Sequence, residues 1–140
     1  VAQVTRPAVR YAPLEYRIAV YNTTGWLVDG FAVELPPDLR WVHVCVRKDG
    51  PRDWRIDHYE TGLSIIGPLV PAAPVLTEAQ RRFVKRYTFD RSSRDRLVAG
   101  AIRWMRFLDR RGLLRPKIEA AMRGERGPSI QAALGITVER

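Results

Sequence analysis

The residues of this chain best equipped for chemistry fall in one stretch: His43 and Cys45 in His43-Val44-Cys45, then Asp57, His58 and Glu60. On an extended strand His43 and Cys45 share a face, the arrangement of a nucleophile beside a base or of half a metal site. No third ligand and no group to orient the imidazole is identifiable, and no spacing rule brings His58 to them. Cysteine is most often plain core, so buried strand residues are the preferred reading. Asp57 and Glu60 flank a turn and are read as shaping it rather than as an acid–base pair. Gly25, Gly30, Gly50 and Gly62 are spaced as turn residues and build no phosphate-binding loop. The sequence therefore predicts no catalytic residue, no metal site and no cofactor, in a protein that is not an enzyme.

The elements that must hold these residues read as a single domain spanning all 140 residues. Tyr16, Ile18 and Val20 alternate on one strand face, Thr23-Thr24-Gly25 turns, and Trp26 to Leu35 follows, with Asp29-Gly30 as an alternative tight turn. Pro36-Pro37-Asp38 stops that strand. Arg40 to Arg47 is the clearest strand, with Val42, Val44 and Val46 on one side and Trp41, His43 and Cys45 on the other. Lys48-Asp49-Gly50-Pro51 signals a hairpin to Trp54–His58, and Glu60-Thr61-Gly62 turns into Leu63–Ile66. After a stiff connector from Gly67 to Pro74, Thr77 and Gln80 fit a capping box opening a helix to about Tyr87. Ser92 or Ser93 caps a longer helix ending at Gly112, and shorter turns cover Pro116–Arg123 and Ser129–Leu134. The expected fold is α+β: an antiparallel meander of four to five strands, two main amphipathic helices and short C-terminal helical turns.

Charge divides along the same line. Residues 1–76 hold 8 Lys+Arg and 8 Asp+Glu, whereas residues 77–140 hold 16 and 7, so the whole net charge of +9 lies in the helical half. That asymmetry points to an acidic partner: nucleic acid, an acidic protein surface or anionic lipid. Apart from Lys48, Lys85 and Lys117 the basic residues are all arginine, and Asn22 is the sole asparagine. A thermophilic source and a GC-rich genome both account for this bias.

On the longer helix Leu97, Val98, Ala101, Ile102, Trp104, Met105 and Leu108 form one apolar arc, opposite Arg96, Arg103, Arg106 and Arg110, with Phe107 beside them. The preceding helix repeats the plan, with Phe83, Val84 and Tyr87 opposite Arg81, Arg82, Lys85 and Arg86. Charged outer faces are ordinary on soluble helices, but they usually mix signs to gain i,i+4 pairs. These faces are nearly of one sign, which favours a partner-binding surface, and arginine forks suit carboxylates or phosphates. The alternative is direct DNA or RNA binding by the same helices. Trp26, Trp41 and Trp54 are read as sheet packing rather than a stacking platform, and a helix-turn-helix is kept as a runner-up.

Val1–Val9 contains Arg6 and Pro7 and no continuous apolar stretch, which argues against a signal peptide. The apolar run Leu63–Pro74 is broken by Gly67, Pro68, Pro71 and Pro74 and is too short to span a bilayer. One cysteine allows no internal disulfide. The expected setting is the cytoplasm, without membrane contact.

The stretch Trp54-Arg55-Ile56-Asp57-His58-Tyr59-Glu60-Thr61-Gly62-Leu63-Ser64-Ile65, followed by the helix led by Thr77-Glu78-Ala79, resembles the strand-turn-strand-helix core of small bacteriophage regulatory proteins. In size, arginine bias and element order the chain looks like the RNA polymerase-binding transcription inhibitors of Thermus phages. That resemblance implies a non-enzymatic protein that binds bacterial RNA polymerase holoenzyme near the β-subunit flap and sigma region 4. It further implies repositioning of that sigma region, weakened recognition of the promoter element it reads, inhibition of host promoters and an influence on termination. No binding residue carries over, because no shared motif aligns.

Overall fold

The computed structural model describes residues 9–20, 23–68, 76–125 and 127. Four strands, β1 (Tyr11–Val20), β2 (Thr23–Val33), β3 (Val44–Gly50) and β4 (Asp53–His58), form an antiparallel sheet in sequence order. Three helices follow: α1 (Glu78–Tyr87), α2 (Arg94–Arg110) and α3 (Leu114–Met122). The α+β meander expected from the sequence is present, and the expected turn at Ser129–Leu134 lies outside the described residues.

Several boundaries differ from the sequence reading for identifiable reasons. β1 begins at Tyr11 and runs through Pro13, which faces Phe31. A proline is tolerated there because β1 is an edge strand with only one neighbour. β2 runs straight through Asp29-Gly30 without turning. A Cβ at Gly30 would sit 2.3 Å from the Val46 carbonyl oxygen and 2.9 Å from the Tyr16 ring, so this glycine lets neighbouring chains approach closely. Residues 40–43 of the expected strand are not strand, so His43 precedes β3 and does not lie on it. Pro37–Leu39 makes a 3-10 turn, and fully buried Leu39 accepts a bond from the Val42 amide. The β3–β4 turn centres on Pro51-Arg52, past the expected centre at Asp49-Gly50, with Arg52 in left-handed conformation at φ 55°. Leu63–Ile66 meets β4 only at the Asp57–Ser64 bridge and through backbone bonds to Ile56 and His58, too briefly to add a fifth strand.

Both sheet faces are covered. On one, Val44, Val46 and Ile56 meet the buried arc of α2, where Leu97, Val98, Ala101, Ile102, Trp104, Met105 and Leu108 are the residues expected from periodicity. Withdrawal of each larger aliphatic side chain from water contributes roughly 1.5–3 kcal/mol. On the other face, the β1–β2 hairpin curls over β3–β4 and closes a smaller cluster of Tyr16, Ile18 and Cys45. The Ala19 amide bonds the Gly62 carbonyl at 2.8 Å, completing that curl. Gly62 has φ 68°, and a Cβ there would lie 2.6 Å from the Arg17 oxygen, so a side chain is excluded twice over.

The helices start where local chemistry dictates. Thr77 caps α1 and Gln80 reaches back, with both capping-box bonds formed at 3.1 and 2.9 Å. Ser93, rather than Ser92, caps α2. Ser92 is instead tied to Asp90 through its hydroxyl and its amide. Pro116 falls in the first turn of α3, where a missing amide donor is harmless. Among the described residues, no helix is long and apolar enough to cross a membrane.

Candidate functional site

Of the nine residues singled out by sequence, eight are cations of α1 and α2, and they divide into two groups. Arg81, Lys85, Arg86, Arg103 and Arg110 are exposed, and none has a carboxylate partner among the described residues. Arg82, Arg96 and Arg106 are paired. Arg82 meets Glu78 at 2.7 Å one turn away, and Arg96 meets Asp90 at 3.4 Å. Arg106 donates through Nε and a terminal nitrogen to the two oxygens of Asp38, at 2.9 and 3.0 Å. This fork ties α2 to the 3-10 turn before β3. The hydrogen bond from Arg106 holds the Asp38 carboxyl below its ordinary range.

Phe107 belongs to the packing between helices. Its ring lies 5.1 Å from Phe83, 5.0 Å from Tyr87 and, stacked, 5.7 Å from Trp104. The face is thus more mixed than helical spacing alone predicts. Asp38, from the strand half, neutralises part of it, and Phe107 is half-buried between α1 and α2.

Other arginines fasten helices to sheet. Arg91 places two nitrogens on Asp53 Oδ1 at 2.9 and 2.7 Å. The Arg94 guanidinium stacks 3.9 Å from the Tyr11 ring centroid, with Phe31 and Trp54 beside it. Tyr11 in turn donates to Asp95, and burial followed by that bond raises its hydroxyl to about 12. Arg115 lies 4.1 Å over Trp41. The three tryptophans considered as a platform are therefore separated in role: Trp41 and Trp54 pack under arginines, while Trp26 is 60% exposed on the β1–β2 hairpin. α2 buries eight residues, which fixes its inner face and leaves its outer, arginine-bearing face in solvent.

The titratable cluster of the strand half is arranged differently from its sequence reading. Asp57 is fully buried and accepts from the Tyr16 hydroxyl at 2.7 Å, Arg47 Nε at 3.0 Å and the Ser64 hydroxyl at 3.0 Å. Arg47 also reaches Asp49 at 3.0 Å. Burial first, then the bond to Asp57, hold the Tyr16 hydroxyl well above the phenol range. Glu60 stands between two imidazoles, bonded to His43 Nδ1 and 3.1 Å from His58 Nε2, while His58 Nδ1 is 2.9 Å from the Thr61 hydroxyl. Burial pushes His58 below its ordinary value; burial of Glu60 opposes a drop that the bond to His43 nevertheless produces.

Cys45 is 1% exposed, and burial raises its thiol to about 11, with Asp57 and Glu60 adding to the shift. A neutral, enclosed thiol is a poor nucleophile. His43 points to solvent and engages Glu60, not Cys45. Among the described residues no group of His, Cys, Asp and Glu is placed to hold a metal ion. The buried Asp57 network was missed in the sequence; its only signal was the shared strand face of Tyr16, Arg47 and Asp57, readable once register is known. Comparisons with protein-family models, curated proteins and solved structures find no match.

Proposed function

We propose that this chain is a non-catalytic regulatory protein that docks the outer face of α1 and α2 on an acidic macromolecular surface. The observation that carries this reading is the set of five exposed cations, Arg81, Lys85, Arg86, Arg103 and Arg110, without carboxylate partners among the described residues. Like charges at this spacing repel, and a one-sign field steers an acidic partner toward the face. Arg106 and Phe107 act in the scaffold beneath it. The resemblance to phage transcription inhibitors makes bacterial RNA polymerase with its sigma factor the partner of this proposal. Binding there inhibits or redirects host transcription in the bacterial cytoplasm.

Co-purification of the full chain with polymerase holoenzyme, after nuclease treatment and at low salt, tests the proposal. Retention that is lost on Arg103→Glu with Arg110→Glu supports it; absence of retention removes polymerase as the partner. A mobility-shift titration separates the nucleic-acid alternative, for which log affinity falls linearly with log salt.

A further inference from the structure

The least explained apolar feature lies on the inner side of α2, turned away from Arg103 and Arg110. A cavity of about 150 Å³ opens between the end of β4, residues 61–66, α2 and α3. Trp104, Met105 and Leu108 line it from α2, and Ile118 and Ala121 from α3. The polar groups in its wall are already engaged: His58 with Thr61 and Glu60, and Ser64 with Asp57. Recognition here is therefore apolar. An apolar cavity of this volume accepts a group of about benzene size. It is well short of the roughly 300–1,000 Å³ that encloses a drug-sized ligand or cofactor. Volume selects a single bulky side chain.

Two further features select its source. Leu63 and Ile66 line the opening yet are 47% and 53% exposed, and Met122, next to Ala121, is 55% exposed. Leu63 and Ile66 are thus two of the six large hydrophobic residues exposed among the described residues, together at one opening, and Met122 is a third on the helix that supplies Ile118 and Ala121. An apolar rim around a small cavity is the form of a protein-contact anchor site. Lys117 lines the same opening, is exposed and has no acidic partner among the described residues.

We infer that this cavity is an anchor site for a partner protein, receiving one phenylalanine- or leucine-sized side chain from a segment with carboxylates beside it. The site is separate from the basic face of α1 and α2, so either can fail alone. The test is a titration of the isotope-labelled full chain with the peptide acetyl-Glu-Asp-Phe-Asp-Glu-amide, and with the same peptide carrying Ala for Phe. The expected result is amide shifts confined to residues 61–66 and 114–122, with the Phe peptide binding roughly tenfold tighter or more. Ala121→Phe fills the cavity and removes the binding. Lys117→Glu, on an exposed position that leaves the fold intact, weakens the acidic peptide and favours a Lys-flanked one. Equal binding of Phe and Ala peptides overturns the inference. So do shifts restricted to α1 and outer α2, absence of shifts at millimolar peptide, and 3-phenylpropionate binding as tightly as the Phe peptide.

Discussion

Arginine plays opposite parts inside the curled sheet and on the outside of the helices. Arg47, with its side chain 13% exposed, lies between Asp57 and Asp49, and Asp57 in turn holds Tyr16 and Ser64. Arg103 and Arg110 lie in solvent without a carboxylate among the described residues. Neighbours, and not residue type, decide which charges belong to the fold. A desolvated charge must be matched or the structure fails, whereas a solvated one is left available.

The inner arginine is the more sensitive of the two to loss of its partner. Asp57→Ala leaves Arg47 buried without its main partner and deprives Tyr16 of its acceptor, so unfolding in urea should show a loss of about 3–5 kcal/mol. A loss under about 1 kcal/mol would put the inner network on a level with surface pairs. The next largest effect is on pH. His58 has a folded value below its unfolded one, so its contribution is present above about pH 6.5 and is lost as pH falls through the folded value. Glu60 is also lowered and adds a further loss in more acid solution. The urea midpoint should therefore fall on acidification, and His58→Asn should flatten the first part of that fall.

Arg106 and Asp38 are intermediate, a well-formed fork that remains in contact with water. A double-mutant cycle should return a coupling of about 0.2–1 kcal/mol, larger at low salt. The smallest effect belongs to the outer face itself. Arg103→Ala and Arg110→Ala should each change unfolding free energy by no more than about 0.5 kcal/mol. A larger loss by thermal or urea unfolding would show that these side chains support the fold and are not free for a partner.

What could be read from sequence was what depends on near neighbours. The α2 arc follows from a period of 3.6, and the α1 start from Thr77 and Gln80 three residues apart. Strand ends were less legible, because Pro13 is compatible with an edge that only topology creates, and Gly30 serves close approach rather than a turn. The charged face looked purer than it is because helical spacing counts only carboxylates on the same helix. Asp38 reaches Arg106 from 68 residues away. Likewise Asp57 meets Tyr16 only because the first hairpin folds back over β4, a contact 41 residues apart that no local pattern encodes.

The enclosed thiol of Cys45 has a practical consequence. With the chain's one native sulfhydryl shielded and held protonated near neutral pH, maleimide or spin-label reagents will react slowly with the native protein. A cysteine introduced at Arg103 or at Met122 thus becomes a selective attachment point without removal of Cys45. Distances and crosslinks measured from those two positions would report separately on the outer face of α2 and on the end of α3.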